Sequence, residues 1–99
     1  MTERQDWNRI RESRMSEPGA DEAYQAARLA YELGRTVREL RERAGWSQTQ
    51  LANAAGMTQS AVARFEAGGT VPTLTVLERL ANALDATLTV NVTPRTHVA

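Results

Sequence analysis

The chain has no cysteine, no lysine, a single histidine and no apolar run near the roughly 20 residues that cross a bilayer. Without cysteine there is neither a disulfide framework nor thiolate chemistry. The lone His97, in the C-terminal tail, cannot build a metal site or a catalytic triad by itself. No nucleophile–base pair or metal-ligand cluster stands out, so the expectation is a non-enzyme with no cofactor and no metal. No apolar signal region opens the chain, and the expected location is cytoplasmic.

All 12 basic side chains are Arg. The codon usage of a GC-rich genome would account for that choice, yet its consequence stands either way: Arg offers planar, bidentate donors where Lys offers a point charge. The formal net charge is zero, but the charge is unevenly spread. Residues 1–33 carry five Arg against seven acids, residues 34–72 five Arg against three acids, and residues 73–99 two of each. A mildly acidic N-terminal third and a mildly basic middle suit a protein with two working surfaces. Ninety-nine residues, 41% of them hydrophobic, suffice for one modest core.

Residues 1–18 are polar, with Trp7, Ile10 and Met15 as their large apolar side chains. Trp7 and Ile10 are three apart and would share a helix face. Two readings stand: a disordered tail, or a segment that orders on a partner with Trp7 as its anchor. After Pro18-Gly19, Asp21 can cap a helix. Ala23, Ala26, Ala30, Leu33, Val37, Leu40 and Ala44 then follow at alternating 3,4 spacing, which predicts one helical stripe. One long helix or two helices broken near Gly34 would satisfy it; the cost of Gly in a helix interior favours the break.

Gly45 ends that stripe. Ser47 with Gln50 forms a capping box, and Trp46 with Leu51 fits the hydrophobic staple, which predicts a helix over 48–55. Gly56 suits a left-handed cap, and Thr58 caps a helix over 59–67 with Val62 and Phe65 inward, closed by Gly68-Gly69. After Pro72, Thr73 or Thr75 caps a further helix with Leu74, Leu77, Ala81 and Leu84 on one face; Thr75 with Glu78 would be a second capping box. Over 86–94 the period falls to two: Leu88, Val90 and Val92 on one face, Thr87, Thr89, Asn91 and Thr93 on the other. A lone strand leaves an unpaired edge, so it is expected to pair with its copy across a two-fold axis.

Two short helices about a Gly turn have the lengths of a helix-turn-helix, whose second helix enters the major groove. The residues carry the match further. Arg41, Gln48, Leu51-Ala52, Gly56, Thr58-Gln59-Ser60, Arg64-Phe65-Glu66, Gly68 and Pro72-Thr73-Leu74 together resemble the Cro-like (XRE) helix-turn-helix family over about residues 35–85. The resemblance implies DNA contacts by Gln48, Thr58, Gln59, Ser60, Ala63, Arg64, Gly69 and Thr70, and a structural ion pair between Arg41 and Glu66. These roles suit the chemistry. Gln48 lies at a helix N-terminus, which favours a phosphate. Gln can pair bidentately with adenine and Arg with guanine, and Ala63 can meet a thymine methyl. Thr70 and the Gly68 and Gly69 amides are placed for phosphate contacts, which orient without reading sequence.

The wider layout, with an N-terminal extension and a terminal strand, resembles the HigA-like antitoxins of type II toxin–antitoxin pairs. That resemblance implies an autorepressing homodimer on a palindromic operator, and a RelE-like (HigB-type) mRNA-cleaving toxin as partner. Trp7, Ile10, Arg11 and Tyr24 are candidate toxin contacts from composition alone. The alternatives are a stand-alone repressor without a toxin and a protein–protein adaptor that binds no DNA; the Gln48, Gln59 and Arg64 face argues against the adaptor.

The expected fold is thus all-α: a five-helix Cro/repressor-like helix-turn-helix domain with an N-terminal helical extension and a C-terminal strand pairing across a dimer. Its divisions are 1–33 for the extension, 34–85 for the DNA-binding domain, and 86–99 for the dimerisation strand (Leu88, Val90, Val92) and tail.

Overall fold

The computed structural model describes residues 19–96, so Trp7, Ile10, Arg11 and His97 lie outside the described residues. Those residues form four helices: α1 (Ala20–Arg43), α2 (Gln48–Ala55), α3 (Gln59–Glu66) and α4 (Leu74–Ala83). Helix α1 runs 24 residues without interruption, about 36 Å at 1.5 Å per residue. Asp21 and Glu22 in its first turn and Arg41 and Arg43 in its last complement the helix dipole. Exposed pairs Arg28–Glu32, Arg35–Glu39 and Arg38–Glu42 run along it at 3.2, 3.5 and 3.3 Å. With Arg N-terminal to Glu they have the weaker of the two orientations, so each contributes at most a few tenths of a kcal/mol. Asp21 is not the cap; Gly19 takes that position with φ 78° and no side-chain bond.

The expected break at Gly34 is absent, and its neighbours show why glycine stands there. Gly34 is buried against the C-terminal end of α3. A Cβ on it would lie 2.4 Å from the Phe65 carbonyl oxygen and 2.8 Å from that of Glu66. The residue costs α1 about 1 kcal/mol of helix propensity but lets two backbones touch. Only part of the predicted stripe is buried: Ala30, Gly34 and Val37 form the seam, while Ala23, Ala26 and Ala44 remain exposed. The N-terminal half of α1 reaches past the core, with Leu29 and Tyr31 each 58% exposed.

The core is Val37, Leu51, Ala52, Ala55, Val62, Phe65 and Leu80, with Trp46, Leu33, Met57 and Leu77 packed around it. Leu51, Val62 and Leu80 are sealed from solvent, and each contributes about 1.5–3 kcal/mol. Helix α2 packs against α3 and α4, and α1 crosses α3.

Three helix ends close alike. After α1, Gly45 N donates to Glu42 O and Trp46 N to Arg41 O; after α3, Gly68 N to Phe65 O and Gly69 N to Arg64 O; after α4, Asp85 N to Asn82 O and Ala86 N to Ala81 O. This is the Schellman pattern, which places a left-handed residue just past the helix. Gly68 meets that need with φ 76°, whereas Asp85 adopts φ 54° as a non-glycine. Helix α4 is capped by Thr73, whose Oγ1 accepts from Val76 N at 3.2 Å; the Thr75–Glu78 box does not form.

Residues 86–96 form no strand among the described residues. A ladder needs a second strand, and the described part of a single chain supplies none. Leu88 is half-buried, while Val90 and Val92 stand 62% and 93% exposed. Among the described residues the architecture is therefore four helices and no strand, where five helices and a strand were expected.

Candidate nucleic-acid interface

Local chemistry sets the α2–turn–α3 unit. Ser47 Oγ accepts from Gln50 N at 3.1 Å while Gln50 Oε1 accepts from Ser47 N at 2.8 Å, closing the capping box that starts α2. Gly56 ends α2 in the left-handed region, and Met57 N donates back to Ala52 O at 2.9 Å. Thr58 Oγ1 then accepts from Ala61 N at 3.1 Å and starts α3 one residue later. Val62 and Phe65 anchor α3 in the core. Gln59, Ser60 and Arg64 are exposed on its other side, and Ala63 is half-buried.

A connected polar chain runs under that face. Arg41 grips Glu66 bidentately, Nε to Oε2 at 2.7 Å and Nη2 to Oε1 at 3.0 Å, and its Nη1 donates to Trp46 O at 2.8 Å. Gln48 Nε2 donates to Glu66 Oε1 at 3.1 Å, and Gln59 Nε2 donates to Gln48 Oε1 at 2.7 Å. The side chains of Arg41 and Glu66 are only 11% and 4% exposed. Hydrogen bonding to Glu66 holds the Arg41 guanidinium above its ordinary pKa, against the opposing effect of burial. The ion pair joins the last turn of α1 to the last residue of α3, so it sets how the two helices meet.

The polarity of the chain follows from its first member. The Glu66 carboxylate only accepts, so Gln48 must turn its amide nitrogen toward it and its carbonyl oxygen toward Gln59. Gln59 must in turn donate to Gln48. Its own carbonyl oxygen and second amide hydrogen then remain for an outside partner. That donor–acceptor pair is what recognition of adenine N7 and N6 requires.

The Arg64 side chain makes no hydrogen bond or ion pair with the described residues, so its guanidinium is uncommitted among them. Thr70 is half-buried beyond the α3 cap. The Gly68 and Gly69 amides, expected as phosphate donors, are instead spent on the carbonyls of Phe65 and Arg64. Tyr24 lies half-buried on the N-terminal part of α1, away from this face in sequence. Sequence reasoning missed Arg38, which lines a shallow cleft with Arg41, Gln48, Ala63, Glu66 and Ala67. Its i, i+3 spacing from Arg41 was the available signal.

The family described as "Helix-turn-helix domain" matches residues 32–90. Among solved structures, the restriction-modification controller protein C.AhdI from Aeromonas hydrophila is similar, with a TM-score of 0.57 and 36% identity. That likeness covers 59% of this chain and 88% of the other. No curated protein matches the chain.

Proposed function

The chain belongs to the helix-turn-helix domain family, and from that premise we propose that it is a sequence-specific DNA-binding transcription regulator acting as a homodimer on a palindromic operator. The observation that carries this reading is the Arg41–Glu66–Gln48–Gln59 chain. It holds a reading glutamine at fixed polarity beside Arg64, whose side chain is unpaired among the described residues, on the outer face of α3. Its similarity to a restriction-modification controller protein supports a regulatory role and a non-enzymatic one. Gln48, Thr58, Gln59, Ser60, Ala63, Arg64 and Thr70 form the DNA face. An adaptor that binds no DNA has no use for an oriented amide and an unpaired guanidinium on one surface.

A two-fold dimer supplies what one copy lacks. Leu88, Val90 and Val92 alternate along a segment that gains a ladder only when a second copy provides its partner. Two reading helices would then address half-sites about one helical turn, ~34–36 Å, apart. Selection of duplexes from a randomised pool by the full chain tests the reading. The expected product is an inverted repeat with that spacing; no enrichment of any sequence would sink it.

A second reading adds a protein partner: the regulator is also an antitoxin that neutralises a RelE-like toxin. The exposed side chains of Leu29 and Tyr31 on the N-terminal half of α1 favour it, because they offer apolar surface that the core does not use. Trp7, Ile10, Arg11 and Tyr24 are the further candidate contacts that the composition of the N-terminal third offers. If the product of the neighbouring reading frame protects residues 1–31 from protease, the antitoxin reading gains. A neighbour that leaves cleavage unchanged leaves the stand-alone regulator.

A further inference from the structure

Gly69 has no conformational reason to be glycine. Its φ lies outside the left-handed region, unlike that of Gly68 beside it. It follows the residue that needs the left-handed turn, at a position of the Schellman pattern where side chains are ordinarily accepted. It is also exposed, so no core packing demands a small residue. Two contacts nevertheless tie it to one residue. Its N–H donates to the Arg64 carbonyl oxygen at 2.9 Å. A Cβ placed on it would lie 3.1 Å from Arg64 Cγ and 3.4 Å from Arg64 O.

We propose that Gly69 is a positioning residue for Arg64: its missing side chain leaves the space in which the Arg64 arm lies, and so sets where the guanidinium is delivered. This rests on the reading of α3 as the DNA-reading helix. The first of the two contacts fixes the backbone of residue 69 under the last turn of α3. The second is made by Cγ, close to the Arg64 backbone, where a change of rotamer swings the whole outer arm. An exposed Arg has several staggered rotamers of similar energy, and a Cβ at residue 69 crowds the one found here. Bidentate pairing with guanine O6 and N7 demands a defined approach, so a displaced arm loses base discrimination before it loses charge. Gly69 acts through Arg64 and touches no DNA itself, in contrast to the amide-to-phosphate role that its place in the sequence suggests.

The test uses the full chain and the duplex it selects from a randomised pool, with every single-base-pair variant of that duplex. Affinities are measured for the wild type, Arg64→Ala and Gly69→Ala over a range of salt. Arg64→Ala is expected to lose about tenfold or more discrimination at one base pair per half-site. Gly69→Ala should lose most of that discrimination at the same base pair. It should keep discrimination elsewhere and an unchanged slope of log affinity against log salt, because no phosphate contact is removed. If Gly69→Ala discriminates like the wild type while Arg64→Ala does not, the positioning role is wrong and the reading of α3 survives. If Gly69→Ala weakens all duplexes equally, with discrimination at every base pair kept, residue 69 lies against the duplex itself rather than acting through Arg64, and the proposal falls. If Arg64→Ala changes nothing at any base pair, the assignment of Arg64 falls and this inference with it. A second measurement needs no DNA. Proton NMR of the wild type should show a cross-relaxation peak between Gly69 Hα and Arg64 Hγ, and its absence overturns the contact itself.

Discussion

Gln59 donates a 2.7 Å hydrogen bond to Gln48, eleven residues earlier, and so ties the first residue of α3 to the first residue of α2. The bond is exposed, so its direct contribution to stability is small, about 0.5–1.5 kcal/mol. Its value lies in orientation. Gln48→Ala should therefore lower affinity for the selected duplex by about tenfold with a shift in melting temperature of only a few degrees. Calorimetry beside a binding titration checks both halves; a large loss of stability with intact affinity would reverse the assignment.

The Arg41–Glu66 pair should behave oppositely. Removing one member leaves a charge that is nearly sealed from water, so Arg41→Ala or Glu66→Ala should each cost about 3–5 kcal/mol. The double replacement by apolar residues of similar size should cost clearly less than the sum. A double-mutant cycle in urea measures the difference. The raised guanidinium pKa adds a sign. A cation whose pKa rises on folding contributes stability below its unfolded pKa and loses it only as pH rises through the folded value. The Arg41 contribution should thus be constant across the working range and fall only under strongly alkaline conditions.

Gly34→Ala inverts the usual helix rule. In an open helix the change stabilises by about 1 kcal/mol, whereas here the new Cβ meets two carbonyl oxygens of α3. Overpacking of this kind costs about 1–3 kcal/mol, and backbone on both sides leaves little room to yield. A lower urea midpoint with unchanged slope is expected; a higher midpoint would show that the two helices part easily.

Asp85 carries two small penalties that one substitution relieves. It sits in the left-handed region at φ 54°, and it places a negative residue just past the C-terminal end of the α4 dipole. Asp85→Asn should stabilise by about 0.3–1 kcal/mol at low salt, and less at high salt. Thermal melts at two ionic strengths separate the charge effect from any change in backbone preference.

Truncation after Asp85 removes Leu88, Val90 and Val92. The shortened chain should be monomeric by light scattering and bind the selected duplex weakly. A truncated chain that remains dimeric would remove the tail from the interface.

What the sequence made legible was local. Ser47–Gln50, Gly56 and Thr58 are signals spanning three or four residues, and they bounded α2 and α3 to within a residue. The inward pair Val62 and Phe65 followed from helical period alone. What escaped depended on partners distant in the chain. Gly34 reads as a helix breaker until Phe65 and Glu66 are laid against it. The Gln48–Gln59 bond is hidden because each residue has a sufficient separate reason to be polar. The Gly68 and Gly69 amides looked free because a closing turn spends its donors on carbonyls three and five residues back, and sequence does not display that geometry. The alternation of 86–94 is real, but alternation supplies only half of a ladder.

Helix α1 unites these observations mechanically. It is unbroken from Ala20 to Arg43, and at Gly34 its backbone rests directly on that of α3. No side chain lies between them to absorb a displacement, and Tyr31 and Gly68 meet almost as closely one turn away. A tilt imposed at Leu29 is therefore carried to Phe65 and Glu66 as movement of a rigid arm about a short fulcrum. Whatever grips the outer end of α1 has hold of α3 as well.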